Sequence, residues 1–138
     1  MPKKDKFHHD VRIALIKDGW TITADPMSFK YDDEDYYPDL AAEQIIAASN
    51  GVEKIAVEIK SFISTGFRRE FYEAMGQYDT YSFILSEIEP DRKVILAISM
   101  DAYDTYFQKK SIQKIITFKK ITVVVYNFKT QTIEQWIK

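Results

Sequence analysis

The sequence predicts a mixed α/β (α+β) fold with a mixed central sheet, and three observations lead there. Stretches with apolar residues at helical spacing alternate with short runs rich in β-branched and aromatic residues. The run 94–98, Val-Ile-Leu-Ala-Ile, is wholly apolar, the pattern of a strand covered on both faces. No repeat, low-complexity tract or linker interrupts the order, so residues 1–138 read as a single domain.

Taken in order, Phe7, Val11, Ala14 and Leu15 recur at helical spacing and Asp18-Gly19 closes the run, predicting a helix over 5–18. Trp20, Ile22, Thr23 and Phe29 predict a strand over 20–29, held to an edge or bulge by Pro26. The acidic residues 32–35 read as a solvated turn before a second strand over 36–42, and 43–49 as a short helix ahead of an Asn50-Gly51 turn. Residues 54–62 form the clearest strand. Phe71, Met75, Tyr78, Phe83 and Leu85 mark the longest helix, over 68–87, ended by Pro90. After the strand 94–98, residues 101–118 read as a helix in two pieces, and 121–126 with 132–137 as closing strands.

A length of 138 residues, with 46% apolar and 14% aromatic content, suits one domain with a sizeable core. The absence of cysteine excludes a disulfide scaffold, a thiolate zinc site and a cysteine nucleophile, and a cytoplasmic setting is the default. No apolar leader or membrane-length segment is present, so no membrane partner is expected. The net charge of −2 argues against coating nucleic acid by bulk positive charge, yet it hides opposed patches. Residues 31–43 sum to −6, whereas 109–138 hold seven lysines against Glu134.

The chemistry-bearing residues lie between these patches. Asp39 follows Pro38 in a predicted strand, and Glu58-Ile59-Lys60 sits in the next. With period-two alternation, Glu58 and Lys60 share one face and Val57 and Ile59 the other. Two charges on one face of a buried strand need partners or a cleft. Should Asp39 stand beside Glu58, the two carboxylates suit a hard divalent cation, Mg²⁺ or Mn²⁺, with Lys60 placed to handle the attacking water or the charge developing on phosphorus. Taken alone, a Glu-x-Lys pair on a strand is more often a cross-strand or edge ion pair than a catalytic site.

Pro38-Asp39 with Glu58-Ile59-Lys60, 19 residues on, resembles the PD-(D/E)XK pattern of restriction-endonuclease-like proteins, and the predicted order α-β-β-β-α-β resembles their common core, here extended by a C-terminal helix and two strands. Gln77 and Tyr81, four apart on the long helix, resemble the Gln-xxx-Tyr motif of RecB-like nucleases. More of the chain is similar to the XisH family, the fdxN-element excision controlling factors: Phe7-His8, residues 14–23, residues 54–62, Ala74-Met75-Gly76-Gln77-Tyr78 and Gln135-Trp136-Ile137. The XisH resemblance implies a cyanobacterial protein that assists a site-specific recombinase in excising a DNA element during heterocyst differentiation, with a small XisI-type partner. The superfamily resemblance implies metal binding by Asp39, Glu58 and the Ile59 carbonyl, with Lys60 as the catalytic lysine. It also implies that Gln77 and Tyr81 support the site or touch DNA. An acidic residue of the first helix joins some such sites, a role left unassigned here between Asp10 and His8.

Other features carry plainer readings. His8 and His9 diverge by about 100° on a helix and read as a polar helix start. The acidic run 32–35 lacks the glycine and terminal glutamate of a calcium loop. Tyr72, Tyr78, Tyr81 and Phe83 read as core or as base-stacking groups. Arg68, Arg69 and the C-terminal lysines read as phosphate contacts or as a solubilising surface. A rival function from another class is a catalytically inactive module, whose 9 Phe, 9 Tyr and 2 Trp would supply an apolar patch for a homodimer or a partner protein.

Overall fold

The computed structural model describes residues 4–46, 51–62 and 66–138. Their elements run α1 (His8–Lys17), β1 (Thr21–Ala24), β2 (Phe29–Tyr31), β3 (Glu34–Tyr36), β4 (Leu40–Ile46), β5 (Gly51–Lys60), α2 (Phe67–Ile88), β6 (Arg92–Ser99), α3 (Met100–Tyr106), α4 (Lys110–Lys119), β7 (Val123–Asn127) and β8 (Thr132–Ile137). Six strands form a mixed sheet in the order β1-β4-β5-β6-β7-β8. Strands β5, β6 and β7 are mutually parallel, so each return needs a helical crossover: α2 for the first, α3 and α4 for the second. The other pairings are antiparallel.

Alternation along β5 divides the core. Ile55, Val57 and Ile59 join Leu40, Ile95, Ala97, Val124 and Tyr126 against Phe7, Val11, Ala14 and Leu15 of the α1 segment. Ala56 joins Val94, Leu96, Ile98, Val123 and Val125 against Phe71, Ala74, Met75, Tyr78 and Leu85 of α2 and Ile112 and Ile116 of α4. Glu58 lies on this second side at one end of the sheet. At the other end the buried Arg92 donates to the carbonyl oxygens of Ile55 (2.9 Å) and Ala42 (3.4 Å) and pairs with Glu89 at 2.9 Å, tying three strands together.

The sheet curls around α1. β1 and β8 are its opposite edges, yet the Asp18 carboxylate accepts the indole N–H of both Trp20 (3.3 Å) and Trp136 (3.1 Å), and the two rings lie 5.7 Å apart. Gly19, at φ 94°, makes the turn out of α1; a Cβ there would come within 2.7 Å of the Gln44 side chain.

The structure corrects several boundaries. The strand expected over 20–29 stops at Ala24, because Pro26 cannot donate to a ladder, and β2 begins at Phe29. Within the acidic run, Asp32 and Asp33 form a two-residue turn at φ 47° and 66°, while Glu34 and Asp35 pair in the small β2–β3 hairpin. Residues 36–42 are not one strand: Tyr36 ends β3, Asp39 lies in a bend, and Leu40 opens β4. The helix expected over 43–49 is strand as far as Ile46, where pairing to Gly51–Lys54 overrides helix propensity; residues 47–50, with Asn50, lie outside the described residues. Phe83 is exposed, and Tyr81 and Ile84 take the buried positions of α2. His8 is buried rather than a plain helix-start residue.

His8 and Arg12 both reach Asp25, at 2.7 Å each, with Lys4 at 4.0 Å. Burial pushes the Asp25 carboxyl up, but His8, Arg12 and Lys4 outweigh it and hold it below 3.8. A depressed carboxylate stabilises the fold above its unfolded pKa and loses that contribution as pH falls through the folded value. Asp25→Ala should cost about 1–3 kcal/mol at pH 7 in urea unfolding, and its gap to wild type should narrow as pH falls below 3.8. A gap that stays constant into acid would remove the ion pair from the account.

Candidate functional site

The β4–β5 register builds the site. Leu40 pairs with Val57, so the preceding Asp39 stands opposite Glu58. The Ile59 backbone N–H donates to Asp39 Oδ2 at 2.7 Å and fixes its carboxylate. The Asp39 charge bears directly on the neighbouring Glu58 carboxyl. Lys60, two residues on and on the same face, places Nζ 3.9 Å from Glu58 Oε2.

These groups line a cavity of about 350 Å³. Its floor is Asp39, Glu58, Ile59 and Lys60; α2 contributes Gln77 and Tyr81, which one helical turn sets on the same side; and the β2–β3 hairpin and its exit contribute Asp35, Tyr36 and Tyr37. All five side chains expected at a site are thereby brought together. Asp39 does not lie in a strand as expected but in the bend before β4, a position that turns its side chain across the end of β5.

Sequence reasoning missed Asp5. It lines the same cavity, and its carboxylate accepts the N–H of Phe7 (2.9 Å) and of Ser61 (3.1 Å), which pins the chain ahead of α1 to the end of β5. No motif surrounds it; the available signal was an acidic residue just before a helix start. Neither of the two candidates considered from α1 lines the cavity, though His8 is near enough for its charge to act on Asp39. Asp10 accepts from Gln131 Nε2 at 2.9 Å, and His8 faces Asp25. Lys60 is the only base among the described cavity-lining residues. Lys119 pairs with Asp79 at 2.7 Å, on the flank of α2 opposite Gln77 and Tyr81.

The electrostatics are those of crowded carboxylates away from water. Burial, then the Asp39 charge, pushes Glu58 up from 4.5 to about 8, against the opposing pull of Lys60. Burial likewise raises Asp39, despite the Ile59 N–H and His8. Near neutral pH the pair therefore retains a proton. Glu58 Oε1 and Gln77 Oε1 are buried without a hydrogen-bond partner. Burial and the charges of Glu58 and Asp39 raise Tyr81, so its hydroxyl keeps its proton and remains a donor beside the carboxylates. An acceptor-rich pocket with an orphaned carboxylate oxygen fits a hard cation. Among the described residues, no three His, Asp or Glu side chains converge as a ready-made metal cluster.

A raised carboxyl opposes folding once ionised, so Glu58 should make stability fall as pH climbs from about 5 to 8. Without divalent cation, Glu58→Gln should flatten that decline and exceed wild type at pH 8 by at least ~1 kcal/mol, roughly 2–8 °C in Tm for a chain of this size. Thermal melts across this range check it, and parallel curves would contradict it.

The chain matches the family described as XisH protein over residues 1–134. The crystal structure of an XisH family protein from Nostoc punctiforme PCC 73102 superposes with a TM-score of 0.87 at 36% identity, over 97% of this chain and 100% of that one. The crystal structure of a fdxN element excision controlling factor protein from Anabaena variabilis superposes with a TM-score of 0.87 at 37% identity, over 98% of this chain and 100% of that one. No curated protein matches the sequence. With the family matched over nearly the whole chain and both structures sharing the architecture, the chain belongs to the XisH family.

Proposed function

We propose that this chain is a controlling factor for site-specific excision of a DNA element, and that the Asp39–Glu58–Lys60 cavity is a divalent-cation-dependent phosphodiesterase site of PD-(D/E)XK type. In this reading the whole chain is one domain with a restriction-endonuclease-like core. The observation that carries it is the convergence of Asp39, Glu58, Lys60, Gln77 and Tyr81 on one cavity around a buried carboxylate pair. The excision role follows the name of the Anabaena variabilis protein. DNA, a site-specific recombinase and an XisI-type protein are the partners that role requires.

Asp39, Glu58 and the Ile59 carbonyl would hold Mg²⁺ or Mn²⁺, with Asp5 adding a carboxylate to the same cavity. When bound, the cation would neutralise the carboxylates and polarise a phosphodiester and a water. The remaining work falls to the protein. Lys60 meets negative charge developing on the phosphoryl oxygens, a task suited to the one base among the described lining residues. The Tyr81 hydroxyl donates toward the same charge, and the Gln77 amide lies in reach of the phosphate or the attacking water. The Ile59 N–H keeps Asp39 aimed, so little reorganisation is needed as charge builds. Among the described residues no helix is long and apolar enough to cross a membrane, in keeping with action on DNA in the cytoplasm.

Mg²⁺ or Mn²⁺ should support nicking of plasmid or cleavage of single-stranded DNA by wild type, and Glu58→Ala or Lys60→Ala should lower the rate by about 10²-fold or more. Equal activity in wild type and variants, or none in any with folding confirmed by circular dichroism, defeats the nuclease reading. The fold would then serve as a catalytically inactive module for a partner protein or recombinase. Independently, Mn²⁺ should raise the Tm of wild type and leave that of Glu58→Gln nearly unchanged.

A further inference from the structure

Helix α2 presents to solvent a face that contacts from Tyr31 and Lys119 cover only in part. With about 100° between successive residues, Arg68, Tyr72, Gly76, Asp79, Phe83 and Glu87 fall within an arc of about 100°. Tyr72 is 61% and Phe83 58% exposed, so two large aromatic rings stand out from a face whose other members are polar. Between them lies Gly76, the poorest helix former after proline, in the middle of a 22-residue helix. Nothing within 4 Å of a Cβ at this position would demand its absence. A helix thus carries an aromatic ridge, a gap and a second aromatic ridge, all facing outward. Gaps of this kind let another backbone approach closely.

The charges on the face are sorted by end. Arg68 and Arg69 stand at the N-terminal end and Glu87 at the C-terminal end, while Asp79 near the middle is offset by Lys119 at 2.7 Å. Arg68 makes no ion pair among the described residues. Glu87 accepts the Tyr31 hydroxyl at 2.6 Å, and Tyr31 packs edge-on to Phe83 with centroids 6.3 Å apart, so both groups are held in place.

We infer that this face is a self-association surface, on which α2 of a second copy packs antiparallel across Gly76. A two-fold axis crossing the helix between positions 77 and 78 sets Tyr72 against the partner's Phe83, Gly76 against the partner's Asp79, and Arg68 against the partner's Glu87. Each relation occurs twice, as an isologous contact requires. The occupant is a second copy rather than nucleic acid because the face carries no net positive charge for a phosphate backbone: Arg69 is paired with Glu73 at 3.5 Å, Lys119 with Asp79 at 2.7 Å, and Glu87 balances Arg68. A reversed copy of the helix meets opposite charge at both ends. The surface lies on the flank of α2 turned away from Gln77 and Tyr81, so it does not depend on the chemistry of the cavity.

Sedimentation velocity of the full chain over a concentration series tests this. Wild type should form a reversible dimer, and Gly76→Gln should weaken it at least about tenfold with unchanged circular dichroism, since the added side chain enters open space in the monomer. Arg68→Glu and Glu87→Arg should each weaken the dimer, and the double variant should restore it. A wild type that is monomeric throughout overturns the proposal, as does a dimer indifferent to all of these variants. Fluorescence anisotropy with labelled duplex runs in parallel. Loss of DNA binding in Gly76→Gln without a change in association would assign the face to nucleic acid and also overturn it.

Discussion

The 2.7 Å hydrogen bond from the Ile59 N–H to the Asp39 carboxylate is the constraint around which the cavity end of the molecule is arranged. It exists because the antiparallel register of β4 on β5 runs without slippage from Ile46–Gly51 to Leu40–Val57. A slip by one residue would turn Glu58 toward α1 and bring Val57 to the cavity, since faces alternate. Apolar packing resists such a slip on both sides of β5, with Ile55, Val57 and Ile59 beneath α1 and Ala56 beneath α2. The hydrophobic core therefore does more than hold the fold together. It sets which carboxylates face each other.

That arrangement has a thermodynamic cost built into it. Two neighbouring carboxylates, one pushed to about 8, are a poor way to stabilise a sheet. The apolar strands β6 and β7, covered on both faces, and the ties made by Arg92 at the far end offset it. The carboxylates are crowded at the cavity end, while the Arg92 ties lie at the other, and perturbed carboxylates of this kind are common at functional sites.

Much of this was legible in the sequence, for reasons that differ by element. β6 read as a buried strand because a short apolar run has few other homes, and α2 read as a long helix from its spacing and from Pro90. Periods of two and 3.6 placed Glu58 with Lys60, and Gln77 with Tyr81, on shared faces, and the resemblance to PD-(D/E)XK and RecB-like nucleases implied that these pairs and Asp39 belong to one site. Residues 43–46 misread as helix because their strand state is dictated by pairing with β5, a non-local term that no local window contains. Asp5 escaped for the same reason: its importance lies in the N–H of Ser61, 56 residues away. Phe83 was read as core on spacing alone, when the helix turns it to solvent.

The clasp formed by Asp18, Trp20 and Trp136 bears on a different problem. An open sheet ends in two strands with unpaired backbone groups, and such edges are templates for unwanted pairing with other chains. Here the edges are drawn toward each other over α1 and fastened through one carboxylate and two indoles, so the sheet approaches the protection of a closed barrel without a closing ladder. The clasp thus joins the strand nearest α1 in sequence to the last strand, β8.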